Sequence, residues 1–393
     1  MNRRIYLDHA ATCFPKSAVV LDAMHAFSVR EEAAAGRGAY RASRNAGEII
    51  ARLRREIATW IGAASDQEIS LHAGGTAALN AALLGILRPG DHVVTTAAEH
   101  NSVLRPLQHL VANQTVTWTV VPVDPHGQVD AADVIAAITP QTRMVSIVHA
   151  ANVNGALQPV EAIGRRLHAQ FADADKPLLM SDAAQTFGHV PLSVSQAHLD
   201  VLAAPGHKGG AGPLGTGFLY VRREVQDRIR PTVFGGTGTR SESLEMPHDY
   251  PASFEAGNMN VPAYAGWLAG LRDRCDGSSP PQALERSRTL MAELSSELYR
   301  GLESIPGVRM IGRPHAPVLP VASIAIDGLP ASDVAMILDS EFGIEVRSGL
   351  HCAALIHGAI DSPSDGTVRI SCAESTTTEE LECLFNALAE LCR

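Results

Sequence analysis

Leu178-Leu179-Met180-Ser181-Asp182-Ala183-Ala184-Gln185 is an apolar run that ends on an acid. Four apolar or small residues without alternation describe a strand buried on both faces, as in parallel sheets. The same pattern recurs at His92–Thr96, Thr117–Val121, Met144–Val148 and Gly217–Val221. Helical stretches lie between these runs, such as Val160–Phe171 and the amphipathic series Ile49, Ile50, Leu53, Ile57, Trp60 and Ile61. Alternation of this kind predicts an α/β layered domain with a mostly parallel central sheet. Glu68–His72 adds a short strand, and Gly74-Gly75-Thr76 then opens a strong helix.

After Thr232 the pattern loosens through Gly235-Gly236-Thr237-Gly238-Thr239, Pro247 and Pro251. Helices resume at Pro262–Arg274 and Pro281–Leu302, followed by strands at Ser323–Ile326 and Val368–Ser371 around a helix at Ser332–Phe342. The last helix presents Leu381, Leu384, Phe385, Leu388 and Leu391 on one face, and Thr376 with Glu379 predicts its capping box. The expected organisation is a large α/β domain over residues 15–259 and a smaller α+β domain from residues 1–14 plus 260–393.

A parallel sheet binds ligands at the carboxyl ends of its strands. Asp182 stands at one such end, and Leu202-Ala203-Ala204-Pro205-Gly206-His207-Lys208 puts a lysine just past another. Lysine is scarce here: only Lys16, Lys176 and Lys208 occur among 32 basic residues. A buried carboxylate can hold a pyridinium nitrogen protonated, and a desolvated lysine can form a Schiff base. The glycines before Thr76 let an anion approach the helix N-terminus. Taken singly, the three features also read as a strand-end cap, a solvated lysine and an ordinary helix entry. Together they match the needs of a pyridoxal phosphate site. Gly210-Ala211-Gly212-Pro213-Leu214-Gly215 spells a dinucleotide fingerprint, but a strand follows it where a helix is required. It reads as a Gly-rich turn.

Composition excludes several other classes. The net charge of −10 disfavours nucleic acid. No apolar run suggests a membrane span or a signal peptide, so the reading is cytoplasmic. The six cysteines form no CxxC pair, and His351, Cys352, His357 and Cys372 match no compact metal spacing.

Nine segments carry a resemblance. They are Tyr6-Leu7-Asp8-His9-Ala10-Ala11-Thr12, Gly36-Arg37-Gly38, Glu99-His100-Asn101, His149-Ala150-Ala151-Asn152-Val153, Asp182-Ala183-Ala184-Gln185, Gly206-His207-Lys208, Phe254-Glu255-Ala256-Gly257-Asn258, Arg347-Ser348-Gly349-Leu350-His351-Cys352-Ala353 and Gly366-Thr367-Val368-Arg369. In this order, across nearly the whole chain, they resemble the cysteine desulfurases of the class V aminotransferase group. That resemblance implies a fold type I pyridoxal 5′-phosphate enzyme, a homodimer acting on L-cysteine, and a sulfur-acceptor protein as a further partner. It implies Lys208 as the Schiff-base lysine, Asp182 on the pyridine nitrogen, Gln185 on the ring hydroxyl and His100 stacked on the ring, helping to move protons. Gly75, Thr76 and His207 would hold the phosphate, with Gly257 and Asn258 reaching across a dimer interface. Arg369 would pair with the substrate carboxylate beside Asn152, and Cys352 would accept the sulfur, with Arg347 and His351 as neighbours able to assist.

The chain departs from the usual pattern at His9, Pro205, Asn258 and Ser375. Pro205 can donate no hydrogen bond to a phosphate. Other reactions of the same group remain open from sequence: selenocysteine lyase, β-elimination, epimerisation or transamination, as does a non-catalytic sulfur-relay scaffold.

Overall fold

The computed structural model describes residues 4–172, 176–238 and 242–393. Thr239 of the Gly-rich stretch and Met1–Arg3 of the N-terminus lie outside them. In chain order the elements are β1 (Ile5–Tyr6), α1 (Ala18–Arg30), α2 (Arg41–Ile61), β2 (Ile69–His72), α3 (Gly75–Ile86), β3 (His92–Thr96), α4 (Asn101–Ala112) and β4 (Thr117–Val121). Next come α5 (Ala131–Ala136), β5 (Thr142–Val148), α6 (Val160–Gln170), β6 (Leu178–Asp182), β7 (Val201–Pro205) and β8 (Gly217–Val221). The C-terminal part adds α7 (Val261–Cys275), α8 (Pro280–Glu303), β9 (Val308–Ile311), β10 (Val321–Ile326) and α9 (Ala331–Phe342). It ends with β11 (Ile344–Glu345), β12 (Arg347–Gly349), β13 (Thr367–Ser371) and α10 (Thr378–Leu391).

The central sheet has seven strands in the order β2-β8-β7-β6-β5-β3-β4. All pair in parallel except β8, which runs against both β2 and β7. Every residue of β3, β6, β7 and β8 is buried, which explains their continuous apolar runs. The Gly210–Gly215 segment lies between β7 and β8 with Ala211 and Gly215 at positive φ, so the fingerprint is a turn. Among the described residues no helix is long and apolar enough to cross a membrane.

A second sheet, β12-β13-β10-β9, is antiparallel and packs with α9 and α10 around Leu298, Ile324, Leu338, Ile370 and Leu384. The N-terminus reaches this unit: β1 pairs with β11, and Leu7 joins its core. Helix α7 follows the large unit instead, burying Val261, Tyr264, Trp267 and Leu271 in the same core as Leu53, Ile57 and Phe218. The capping box of α10 falls one residue later than the sequence suggests. Thr377 caps the helix and Glu380 reaches back to its N–H, while Thr376 bonds Ala373.

Candidate active site

The carboxyl ends of β2, β3, β5, β6 and β7 converge on one edge of the sheet, and each delivers part of the site. Asp182 ends β6 in register with Val148 and Ala203. It is buried, its Oδ1 accepts the Ala184 N–H at 2.9 Å, and burial pushes its carboxyl above the ordinary range. Lys208 follows β7. Burial pulls its ammonium down to about 8, with Arg369 and Arg347 adding repulsion against the attraction of Asp182. A neutral amine is therefore within reach near neutral pH.

Strand β2 leads to Gly74, whose φ of +142° only glycine adopts readily and around which a Cβ would meet nothing within 4 Å. No side chain caps the first turn of α3. Its leading N–H groups thus face open space, the condition for holding an anion. Pro205 packs behind this turn, its Cδ 3.1 Å from where a Cβ on Gly75 would stand. Thr76 Oγ1 lies 2.7 Å from Ser102 Oγ, and Ser102 in turn touches His100 Nδ1 at 2.9 Å. His207 Nδ1 lies 3.1 Å from Thr12 Oγ1. Gln185 is buried and donates to the Ala10 carbonyl at 3.2 Å. Gly257 sits at φ +100° near Arg37, which donates to its carbonyl, while Asn258 is exposed.

The small unit closes the site from above. Arg369 on β13 is only 1% exposed, donates to Asp8 Oδ1 at 2.6 Å and to the Asn152 carbonyl at 3.1 Å, and leaves its Nε without a partner. Asn152 donates to the His351 carbonyl at 2.6 Å, and its Oδ1 is buried and unpaired. Cys352 is exposed, and Arg347 donates to its sulfur at 3.2 Å. His351 and Cys352 both hold positive φ, 50° and 57°, which turns the chain sharply at the thiol. His351 does not supply charge there: its Nε2 bonds Thr367 Oγ1, and burial drives its pKa down to about 2. A cavity of about 450 Å³ joins Cys352 to Thr76, His100, Ser102 and Arg105.

A profile of the class V aminotransferases matches residues 5–384. A probable cysteine desulfurase of Methanothermobacter thermautotrophicus is 36% identical over 98% of this chain and 94% of its own length. The chain belongs to the class V aminotransferase family. A probable cysteine desulfurase of Pyrococcus abyssi is 33% identical over 98% of the chain and 94% of its own length. Among solved structures, the apo cysteine desulfurase of Thermococcus onnurineus superposes with a TM-score of 0.88 at 31% identity, covering 99% of this chain and 94% of that one. The Escherichia coli cysteine desulfurase CsdA, in an S-sulfonic acid form, gives 0.84 at 25% identity, covering 98% and 94%. This class V chain thus shares its architecture with those enzymes.

Four members of the site were not singled out from sequence. Asp8 pairs with Arg369, Lys16 donates to the His207 carbonyl at 2.6 Å, Ser102 bridges Thr76 and His100, and Glu99 is buried in full beside Asp182. Asp8 and Lys16 are far from their partners along the chain. Ser102 carried a local signal, two residues past a histidine at a helix start.

Proposed function

We propose that this chain is a pyridoxal 5′-phosphate-dependent cysteine desulfurase, converting L-cysteine to alanine and leaving a persulfide on Cys352. The observation that carries the reading is Cys352, an exposed thiol with Arg347 at 3.2 Å, on the rim of the cavity that reaches Thr76 and His100.

The residues present fit the cofactor. The uncapped start of α3, with Gly74, Gly75 and Thr76, suits its phosphate; His207 supports that end. Asp182 would hold the ring nitrogen, Gln185 the ring hydroxyl, and Lys208 the aldehyde carbon. When bound, the cofactor supplies an electron sink that acidifies the substrate Cα proton.

The chain's own groups do the rest. Lys208, poised near 8, takes the Cα proton as its neutral amine. Arg369 binds the substrate carboxylate as a fork, with Asn152 beside it. His100 lines the cavity between Thr76 and Cys352. The Cys352 thiolate attacks the substrate sulfur, forming an S–S bond as the Cβ–S bond breaks; the electron pair of that bond stays with Cβ, which takes a proton to become the methyl group of alanine, and Arg347 hydrogen-bonds the attacking Cys352 sulfur.

Two partners belong to the reading. A second copy of the chain would cover Gly257 and Asn258, where Tyr40, Val233, Phe234 and Leu244 expose large apolar side chains. A sulfur-acceptor protein would take the persulfide from the exposed Cys352. The six free cysteines fit the reducing cytoplasm. Incubation with L-cysteine tests the proposal directly. Alanine and sulfide should form, Cys352→Ala should abolish both, and borohydride should fix the cofactor to the peptide containing Lys208. Alanine formation undiminished in Cys352→Ala would remove the persulfide role.

A further inference from the structure

Gly349, His351 and Cys352 lie at positive φ (+100°, +50° and +57°), and only the first is a glycine. Left-handed backbone is disfavoured for residues that carry a Cβ, so the turn presenting the thiol needs outside support. It receives that support at three successive carbonyls. The Leu350 carbonyl accepts from His357 Nε2 at 3.0 Å and from the Ala353 N–H at 3.0 Å. The His351 carbonyl accepts from Asn152 Nδ2 at 2.6 Å, and the Cys352 carbonyl from the Asn101 N–H at 2.7 Å.

The three outside donors differ in what else they do. Asn101 uses its main chain, and Asn152 sits beside the substrate carboxylate. His357 does not line the cavity, and both of its ring nitrogens are spent on the thiol segment. A carbonyl can only accept, so Nε2 carries the ring proton towards Leu350. Burial lowers the pKa of the imidazole and keeps it neutral, so Nδ1 takes the Ser362 O–H at 2.9 Å. The Ser362 N–H also donates to the His357 carbonyl at 3.1 Å, so one residue holds both the ring and the backbone of His357. Ile356 and Ile360, on either side, are buried in the core of the large unit. His357 is therefore a post fixed in the large unit, with its N–H aimed at the turn that carries Cys352. A merely apolar place there would be filled at less cost by leucine, which has no polar atoms to satisfy.

Resting on the desulfurase reading, we propose that His357 is a positioning residue for sulfur transfer: its Nε2–H holds the Leu350 carbonyl and so keeps Cys352 Sγ on the cavity rim beside Arg347. The step it serves is attack of the Cys352 thiolate on the substrate sulfur. The S–S bond forms there while the Cβ–S pair goes to Cβ, which takes a proton. Steps that do not involve the thiol need no help from His357. A displacement of about 1 Å in an attacking atom costs on the order of 100-fold in rate, so one lost clamp is enough to be felt.

Two substitutions in the cofactor-loaded enzyme separate this role from general damage. His357→Leu removes the donor, whereas His357→Gln places an amide N–H near the position of Nε2 and should rescue. Formation of the Cys352 persulfide from L-cysteine in a single turnover should fall about 30-fold in His357→Leu and no more than about threefold in His357→Gln. Exchange of the Cα proton of L-alanine with ²H₂O, which needs no thiol, should stay within about twofold of the parent in both. Backbone hydrogen exchange at Asn101 and Ala353 should quicken about tenfold in His357→Leu alone. Ser362→Ala leaves the imidazole in place without the contact that aims it, and should lose about fivefold in persulfide formation should His357→Leu not fold. Persulfide formation at the parental rate in the Leu variant, or in Ser362→Ala where that variant must stand in, would overturn the proposal. So would Cα exchange falling in parallel, or no rescue by glutamine. A parent that forms no persulfide from L-cysteine would sink the desulfurase reading itself, and exchange at Asn101 would still read the clamp without any turnover.

Discussion

Arg347 approaches Cys352 from five residues upstream, with Nη2 3.2 Å from Sγ. Both side chains sit at the surface of the site, so the interaction is electrostatic and open to screening. A guanidinium at that distance hydrogen-bonds the sulfur and orients it for nucleophilic attack. Arg347→Met should slow alkylation of Cys352 by iodoacetamide about tenfold at fixed pH. High salt should narrow the gap between the two proteins. Equal rates at low salt would show that the guanidinium does not activate the thiol.

The Asp8–Arg369 pair gives a prediction about ligand and stability together. Arg369 is buried with its Nε unpaired, and Asp8 is its only carboxylate among the described residues. Asp8→Asn leaves that cation without its counter-charge and should cost about 2 kcal/mol in urea unfolding. A bound α-carboxylate supplies the missing charge. Saturating L-alanine should therefore stabilise Asp8→Asn more than it stabilises the parent. An equal shift in both proteins would separate Asp8 from the carboxylate site.

The architecture was legible because buried parallel strands leave an unmistakable record. His92–Thr96 and Gly217–Val221 carry the same bounds in sequence and structure, since each is enclosed by neighbouring strands and buried throughout; Thr117–Val121 keeps its bounds too, although it is an edge strand with Thr117 exposed. Asp182 and Lys208 were legible for a related reason: a charged residue directly after an apolar strand marks the sheet edge. The pairings across the two units were not. Nothing near Asp8 points to Arg369, and nothing near Lys16 points to the His207 carbonyl, because tertiary closure alone makes those contacts. The assistance to Cys352 was half legible. Arg347 and His351 both flank the thiol in sequence, but only the strand pairing of β12 with β13 and the hydrogen bond to Thr367 decide between them.

Lys208 should make stability depend on pH in the alkaline range. Its folded pKa of about 8 lies below the ordinary 10.5, so the unfolded chain binds the extra proton between those values. Stability conferred by the wild-type lysine therefore rises as pH increases from about 8 towards 10.5, and the full penalty is present below 8. Lys208→Met removes the penalty and should stabilise the cofactor-free protein by on the order of 2–3 kcal/mol at neutral pH. The difference should shrink as pH climbs. A constant difference from neutral to alkaline pH would refute desolvation of the amine as its cause.

Glu99 supplies the opposite slope. Its carboxyl is fully buried, Oε1 accepts the Val148 N–H at 2.6 Å and the Thr96 hydroxyl at 3.3 Å, and Oε2 has no partner. Burial, reinforced by the nearby Asp182 charge, raises its pKa well above the ordinary 4.5. The folded protein then holds a proton that the unfolded chain releases, so stability falls as pH rises above the ordinary carboxylate value. Glu99→Gln is neutral at every pH, and its Oε1 can still accept the Val148 N–H. Urea midpoints of the parent and the variant should agree in acid and diverge in the variant's favour as pH rises. Parallel curves would mean that Glu99 is ionised in the folded protein, and that Asp182 has a charged neighbour rather than a neutral one.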